Sequence, residues 1–225
     1  MLSNVEIEEI FNKFVKVNYT NEYDTQYHPL PIQFNNKKWK WEGKDFPRVI
    51  AILEFKKYME KYGFNFKDVL SFNADNDPEF EYVNYQNLTN INYDEDPENN
   101  DIHKFQLNKK FDFVMMNQTI EHLCDPIRAM KNLYEHLNPG GVLYANVPAN
   151  NRPHSEPYHY YTGITPVGLG VMAKIAGFKI LEIGQWGNKE HLHKLFNIGW
   201  IDYKQMENTS NDRTCPIITW ILAQK

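Results

Sequence analysis

Between Phe111 and Val147 the chain carries a pattern that few folds accommodate. Phe111–Met116 is apolar at every position except Asp112, as in a strand covered on both faces. Asp125 and Pro126 then supply the cap and first position of a helix reaching Leu137. Asn138-Pro139-Gly140-Gly141 reads as a turn, and Val142–Val147 as the next strand. Two strands joined by a helix form a βαβ unit, which belongs in a sheet with helices on its faces.

The flanks extend this pattern. Ser3 and Glu6 have capping-box spacing ahead of an amphipathic helix over Ser3–Val17. Phe46–Tyr62 has Pro47 in its first turn, an apolar stripe and Gly63 as a stop, so a second helix is expected. Val69–Asn73 and Tyr82–Tyr85 read as short strands, and polar Asn87–Lys110 as loop. A helix from Thr165-Pro166 to Ala176 closes at Gly177, and Phe178–Gln185 and Ile217–Ala223 give two late strands. The fold expected is α/β, a Rossmann-like, mostly parallel sheet with helices on both faces. A short N-terminal extension over residues 1–45 joins a helix to a loop at Thr20–Lys44, with a cover over a site as one reading of that loop.

At 225 residues there is room for one domain with appendages. With 24 Lys+Arg against 29 Asp+Glu, the net charge of −5 disfavours a dedicated nucleic-acid binder, although Lys37–Lys44 is locally basic. The longest apolar run, Ile217–Ala223, is far short of the ~20 residues a membrane span needs. The acidic, amphipathic start does not resemble a secretory signal, and Cys124 and Cys215 cannot form a disulfide scaffold. A cytoplasmic protein is expected. Oligomeric state has no signature in the sequence.

Open α/β sheets bind ligands beyond the carboxyl ends of their strands. That directs attention to Asn73–Asp77, Asn84–Asn87, Asn117–His122, Pro148–His159 and Gln185–Asn188. Phe111-Asp112, Glu121-His122-Leu123, Asp125-Pro126, Pro139-Gly140-Gly141 and Val147-Pro148 occur in an order and spacing that resemble the class I S-adenosylmethionine-dependent methyltransferases, in particular those with a Glu-His-Leu segment after the fourth strand. The clear likeness runs from Phe111 to Pro148, with a looser fit from Val69 to the C-terminus. Residues 46–225 are thus expected to form a methyltransferase-like domain using S-adenosyl-L-methionine.

The resemblance implies a cofactor site. Asn73, Ala74 and Asp75 stand where the family has a glycine-rich loop, yet no glycine occurs there. Asn84 stands near the family's ribose-binding acid, Asp101 and Ile102 where an acid often approaches the adenine amino group, and Asn117, Gln118 and Thr119 directly after the fourth strand. A shortened, asparagine-rich cofactor loop and a methyltransferase fold retained only as a scaffold or binding partner are both open on these residues.

Asn150–Thr165 supplies Arg152, His154, Glu156, Tyr158, His159 and Tyr160 after the fifth strand of the family pattern. Methyl transfer to a hydroxyl needs a base, and imidazole, with a pKa of about 6.5, serves near neutral pH. His159 is the first candidate and His154 the second. His122 has no assigned role. A metal ion on this segment is conceivable, but the spacing is no established signature and none is predicted. Gln185-Trp186-Gly187-Asn188 reads either as a stacking wall for a sugar or as core, and His191 and His193 as surface residues. The activity expected is O-methylation of a small polar acceptor such as a sugar or glycan. The other classes are a non-catalytic methyltransferase-like protein and an RNA or protein methyltransferase.

Overall fold

The computed structural model describes residues 2–16, 45–72, 77–202, 205 and 207–225. The Thr20–Lys44 loop and three expected cofactor residues, Asn73, Ala74 and Asp75, lie outside the described residues. Helix α1 (Asn4–Ile10) starts at the expected capping box: Glu6 N–H donates to Ser3 Oγ, while Ser3 N–H donates to Glu6 Oε2 at 2.8 Å. A π-helical turn, Phe11–Val15, continues it. Helix α2 (Phe46–Tyr62) has Pro47 in its first turn and ends at Gly63 in the left-handed region, φ 60°.

Among the described residues six strands form one sheet: β1 (Asn65–Phe72), β2 (Asn84–Ile91), β3 (Phe111–Asn117), β4 (Leu137–Pro148), β5 (Lys179–Trp186) and β6 (Ile218–Gln224). Their order is β2-β1-β3-β4-β6-β5. β2, β1, β3 and β4 are mutually parallel, and β6 runs antiparallel to both β4 and β5. Helices α3 (Pro126–His136), α4 (Pro166–Ala176) and α5 (Lys189–Ile198) complete the order. Asp125 caps α3 through its side chain, as the sequence predicts, and Thr165 caps α4 in the same way.

Alternation along the central strands builds two cores. Leu70, Val114, Met116, Leu143, Ala145 and Ile221 face one side, with residues of α1, α3 and α4. Val69, Phe113, Met115, Tyr144, Trp220 and Leu222 face the other, against α2. α2 is buried on nearly every side, which explains its lack of a clean polar face. α1 packs on α4 at Gly170, where an added Cβ would come within 2.8 Å of Ile10 and Ile183 side-chain atoms.

Three expectations are corrected. The second strand begins at Asn84 and reaches Ile91, so the start of Asn87–Lys110 is strand and not loop. It is an edge strand, exposed along most of its length, and therefore carries no apolar signal. The turn at Asn138–Gly141 is absorbed into β4, with Gly140 at φ 80°. His191 is buried, 1% exposed, beside Trp186 on α5, whereas His193 is exposed as expected. Among the described residues of the link from β1 to β2, the regular structure is a 3-10 turn, Pro78–Tyr82.

Candidate active site

β1 leads outward to β2 on one side, while β3 pairs with β1 on the other, so the topological switch lies between β1 and β3. A polar network fills their carboxyl edge. Asn117 Nδ2 donates to Asp77 Oδ2, Asn146 Nδ2 to Asn117 Oδ1, and Gln118 Nε2 to Asn146 Oδ1, each at 2.6 Å. Gln118 adopts φ 48°, a conformation uncommon for a residue with a side chain. Its backbone N–H bonds to the Asn146 carbonyl at 2.9 Å, which helps hold that geometry. Asp77 also lies 3.5 Å from Arg48, whose guanidinium pairs with the fully buried Glu79. Burial would depress the Arg48 pKa, but the two carboxylates more than offset it and raise the value. Burial raises that of Glu79.

Beyond this edge lies a cavity of about 520 Å³. Asp101, Ile102, Asn117, Gln118 and Thr119, all expected at a cofactor, line it together, along with His122 and the exposed Cys124. Asn84 is not among them: it sits at the amino end of β2, exposed and paired in register with Asn65. The expectation placed the end of the strand where it begins. Asp94, just past the true carboxyl end of β2, lines the cavity instead. Asp101 Oδ1 accepts from His103 N–H at 2.9 Å and lies 2.6 Å from His103 Nδ1. Burial would raise the Asp101 pKa, but these contacts hold it below the usual range.

A second cavity, about 710 Å³, adjoins the same edge and shares Asp77 and Gln118 with the first. Arg48, Asn150, Asn151, Trp200 and Asp202 give it a polar wall with one indole. The Gln185–Asn188 wall is not formed: Trp186 is fully buried, its Nε1 donating to the Thr209 carbonyl at 3.0 Å, and Asn188 caps α5.

The three histidines converge although two lie on irregular chain. Tyr160 and Tyr161 N–H groups both donate to the Glu121 carbonyl, at 2.9 and 3.2 Å, which ties the His154–His159 segment to the turn bearing His122. Ring centroids are 4.5 Å apart for His154–His159, 4.9 Å for His122–His154 and 5.4 Å for His122–His159. His122 Nδ1 lies 2.8 Å from the Tyr158 carbonyl, and His154 Nδ1 3.1 Å from that of Arg152. Neither ring nitrogen of His159 has a hydrogen-bond partner among the described residues. Burial, then the neighbouring rings of His154 and His122, lowers the His159 pKa, and burial also lowers that of His122. Glu121 is fully buried, both carboxyl oxygens lack hydrogen-bond partners among the described residues, and burial pushes its pKa up to about 7.

A parallel sheet with a polar, cavity-forming carboxyl edge at its switch point marks a protein that binds a cofactor or small ligand there. The family model of the methyltransferase domain matches residues 44–186. The chain belongs to that family. It is similar in fold to the N-methyltransferase NodS from Bradyrhizobium japonicum, solved with S-adenosyl-L-homocysteine, at TM-score 0.52, with 13% identity over 90% of this chain and 99% of that one. It also resembles an S-adenosylmethionine-dependent methyltransferase from Mesorhizobium loti, at TM-score 0.50 and 10% identity, over 80% of this chain and 98% of that one. A trans-aconitate 2-methyltransferase from Deinococcus radiodurans is 44% identical over 46 residues, a match spanning 20% of this chain and 18% of that protein.

S-adenosyl-L-methionine is the cofactor of this class, and the first cavity suits it chemically. Acidic Asp94 and Asp101 can accept from hydroxyl and amino groups, while Phe72, Ile91, Ile102 and Leu123 offer apolar surface for a flat ring. Sequence reading missed Asp94, Arg48, Glu79 and Trp200. Of these, only Asp94 carried a usable signal, as an acid following a strand whose end was misplaced.

Proposed function

We propose that the protein methylates a hydroxyl of a small polar acceptor, such as a sugar or glycan, with His159 as the base. The junction of two cavities at Asp77 and Gln118 carries this reading, because it gives a donor and an acceptor adjoining chambers. When bound, S-adenosyl-L-methionine supplies an electrophilic methyl group on a sulfonium. Asp94 would accept from the ribose hydroxyls, and Asp101 from the adenine amino group through Oδ2, the oxygen not engaged by His103. Ile102 would pack on the ring, and Asn117, Gln118 and Thr119 would border the methionine part.

In the second cavity Trp200 offers a stacking face, and Asn150, Asn151 and Asp202 offer hydrogen-bonding groups suited to an acceptor rich in hydroxyls. The cofactor held by Asp94, Asp101 and Ile102 would supply its methyl group to a hydroxyl oxygen of an acceptor held by Asn150, Asn151 and Asp202. His159 takes the hydroxyl proton, and His154 is the second candidate. His159 lies in the cluster with His122, which borders the first cavity; its ring nitrogens are buried and it lines neither cavity itself, so taking that proton requires its ring to turn towards the acceptor.

Calorimetric titration with S-adenosyl-L-homocysteine tests the cofactor assignment, with micromolar binding expected and loss on Asp94→Ala. A screen of hydroxylated acceptors should then give turnover that His159→Ala lowers by about 10²–10⁴-fold while product-cofactor binding persists. The relative acting on trans-aconitate supports a different small acceptor, a carboxylate, which needs no base. Full turnover by His159→Ala on such an acid would favour that class over hydroxyl methylation.

A further inference from the structure

The cluster of His122, His154 and His159 has a second chemical capacity, independent of methyl transfer. One ring nitrogen from each lies within 4.8 Å of the others. Around a tetrahedral ion with metal–nitrogen bonds of about 2.0–2.1 Å, such atoms sit roughly 3.3 Å apart. Side-chain rotations would have to close the set by about 1.5 Å, and His159 can contribute to that movement without giving up a hydrogen bond to its ring nitrogens among the described residues.

The surroundings fit an ion as well. Facing a carbonyl acceptor, His122 Nδ1 carries its proton, which leaves the lone pair on Nε2, and His154 Nδ1 is engaged by its own loop. An imidazole that donates its far N–H to a backbone carbonyl is the usual outer-shell arrangement of a metal-bound histidine. Glu121 adds an independent observation: its carboxyl group is fully buried, has no hydrogen-bond partner among the described residues, and approaches His122 Nε2 to 3.8 Å. A buried carboxylate without a partner is costly, and a cation on the neighbouring imidazoles would relieve that cost.

We infer that His122, His154 and His159 form a binding site for a divalent transition-metal ion, Zn²⁺ being the probe, with Glu121 as its buried counter-charge. Three nitrogen ligands leave a fourth position open, and His122 borders the cofactor cavity. A neutral imidazole has one lone pair, so metal-loaded and base-competent forms of His159 exclude one another.

Chelator-treated protein titrated calorimetrically with Zn²⁺ should bind one ion per chain. His154→Ala and His159→Ala should each weaken binding roughly tenfold or more, whereas His193→Ala, on the exposed face of α5, should not. Binding of S-adenosyl-L-homocysteine by the same variants checks that they remain folded and separates this outcome from the methyl-transfer reading. Co²⁺ added to the unmodified protein should give the intense visible bands of a four-coordinate nitrogen site. Zinc affinity unchanged in both cluster variants, or a weak six-coordinate Co²⁺ spectrum, would overturn the assignment.

Discussion

Single side chains account for much of the chain's sensitivity to its surroundings. His191 is buried, and burial brings its pKa down to about 4. The unfolded chain therefore takes up this proton first as pH falls. Stability is full above about pH 6.5 and drops towards pH 4 by about 3 kcal/mol. Urea unfolding across that window should show the loss, and His191→Leu should flatten it. Glu79 poses the complementary case. Replacing it with Gln leaves the Arg48 guanidinium with only Asp77 in a buried setting, at a cost of about 3 kcal/mol. Asp77→Asn should cost less, because Glu79 remains, and the same unfolding measurement compares the two.

Secondary elements differ in how plainly their residues announce them. Helix stops are legible because one conformation selects glycine: Gly63 sits at φ 60° with nothing within 4 Å of an added Cβ. Gly63→Ala should therefore cost only the backbone term, about 1 kcal/mol by thermal unfolding. Strands β3, β4 and β6 are legible because both of their faces are covered and their apolar runs are continuous. Most of β2 escapes notice because Asn84–Leu88 is exposed, so polar residues there satisfy the ladder without a buried face. That error in turn directed attention to Asn84 and away from Asp94, which lines the first cavity. Site residues following β3 and β4 were readable because each lies on a contiguous post-strand segment. Arg48 and Trp200 were not, because they reach the second cavity from α2 and from beyond α5, and only tertiary packing brings them there.

At the scale of the molecule, one sheet divides two cores, and neighbouring residues of β6 serve opposite sides. Ile221 belongs to the face carrying α3 and α4, and Leu222 to the face carrying α2. Each truncation to Ala should cost about 2–5 kcal/mol. If the sheet couples the faces, both variants should shift a single transition, seen alike by far-UV circular dichroism and by Trp fluorescence from buried Trp186 and Trp220. Separate transitions would mean that the halves melt independently. The uneven placement of the two thiols has a practical consequence. Cys215 is buried, whereas Cys124 is exposed at the wall of the first cavity, the one proposed for the cofactor. A maleimide should thus modify one sulfur quickly, and product cofactor should slow that reaction, so intact-mass spectrometry would report ligand occupancy before any acceptor is identified. The chain carries its own footprinting reporter.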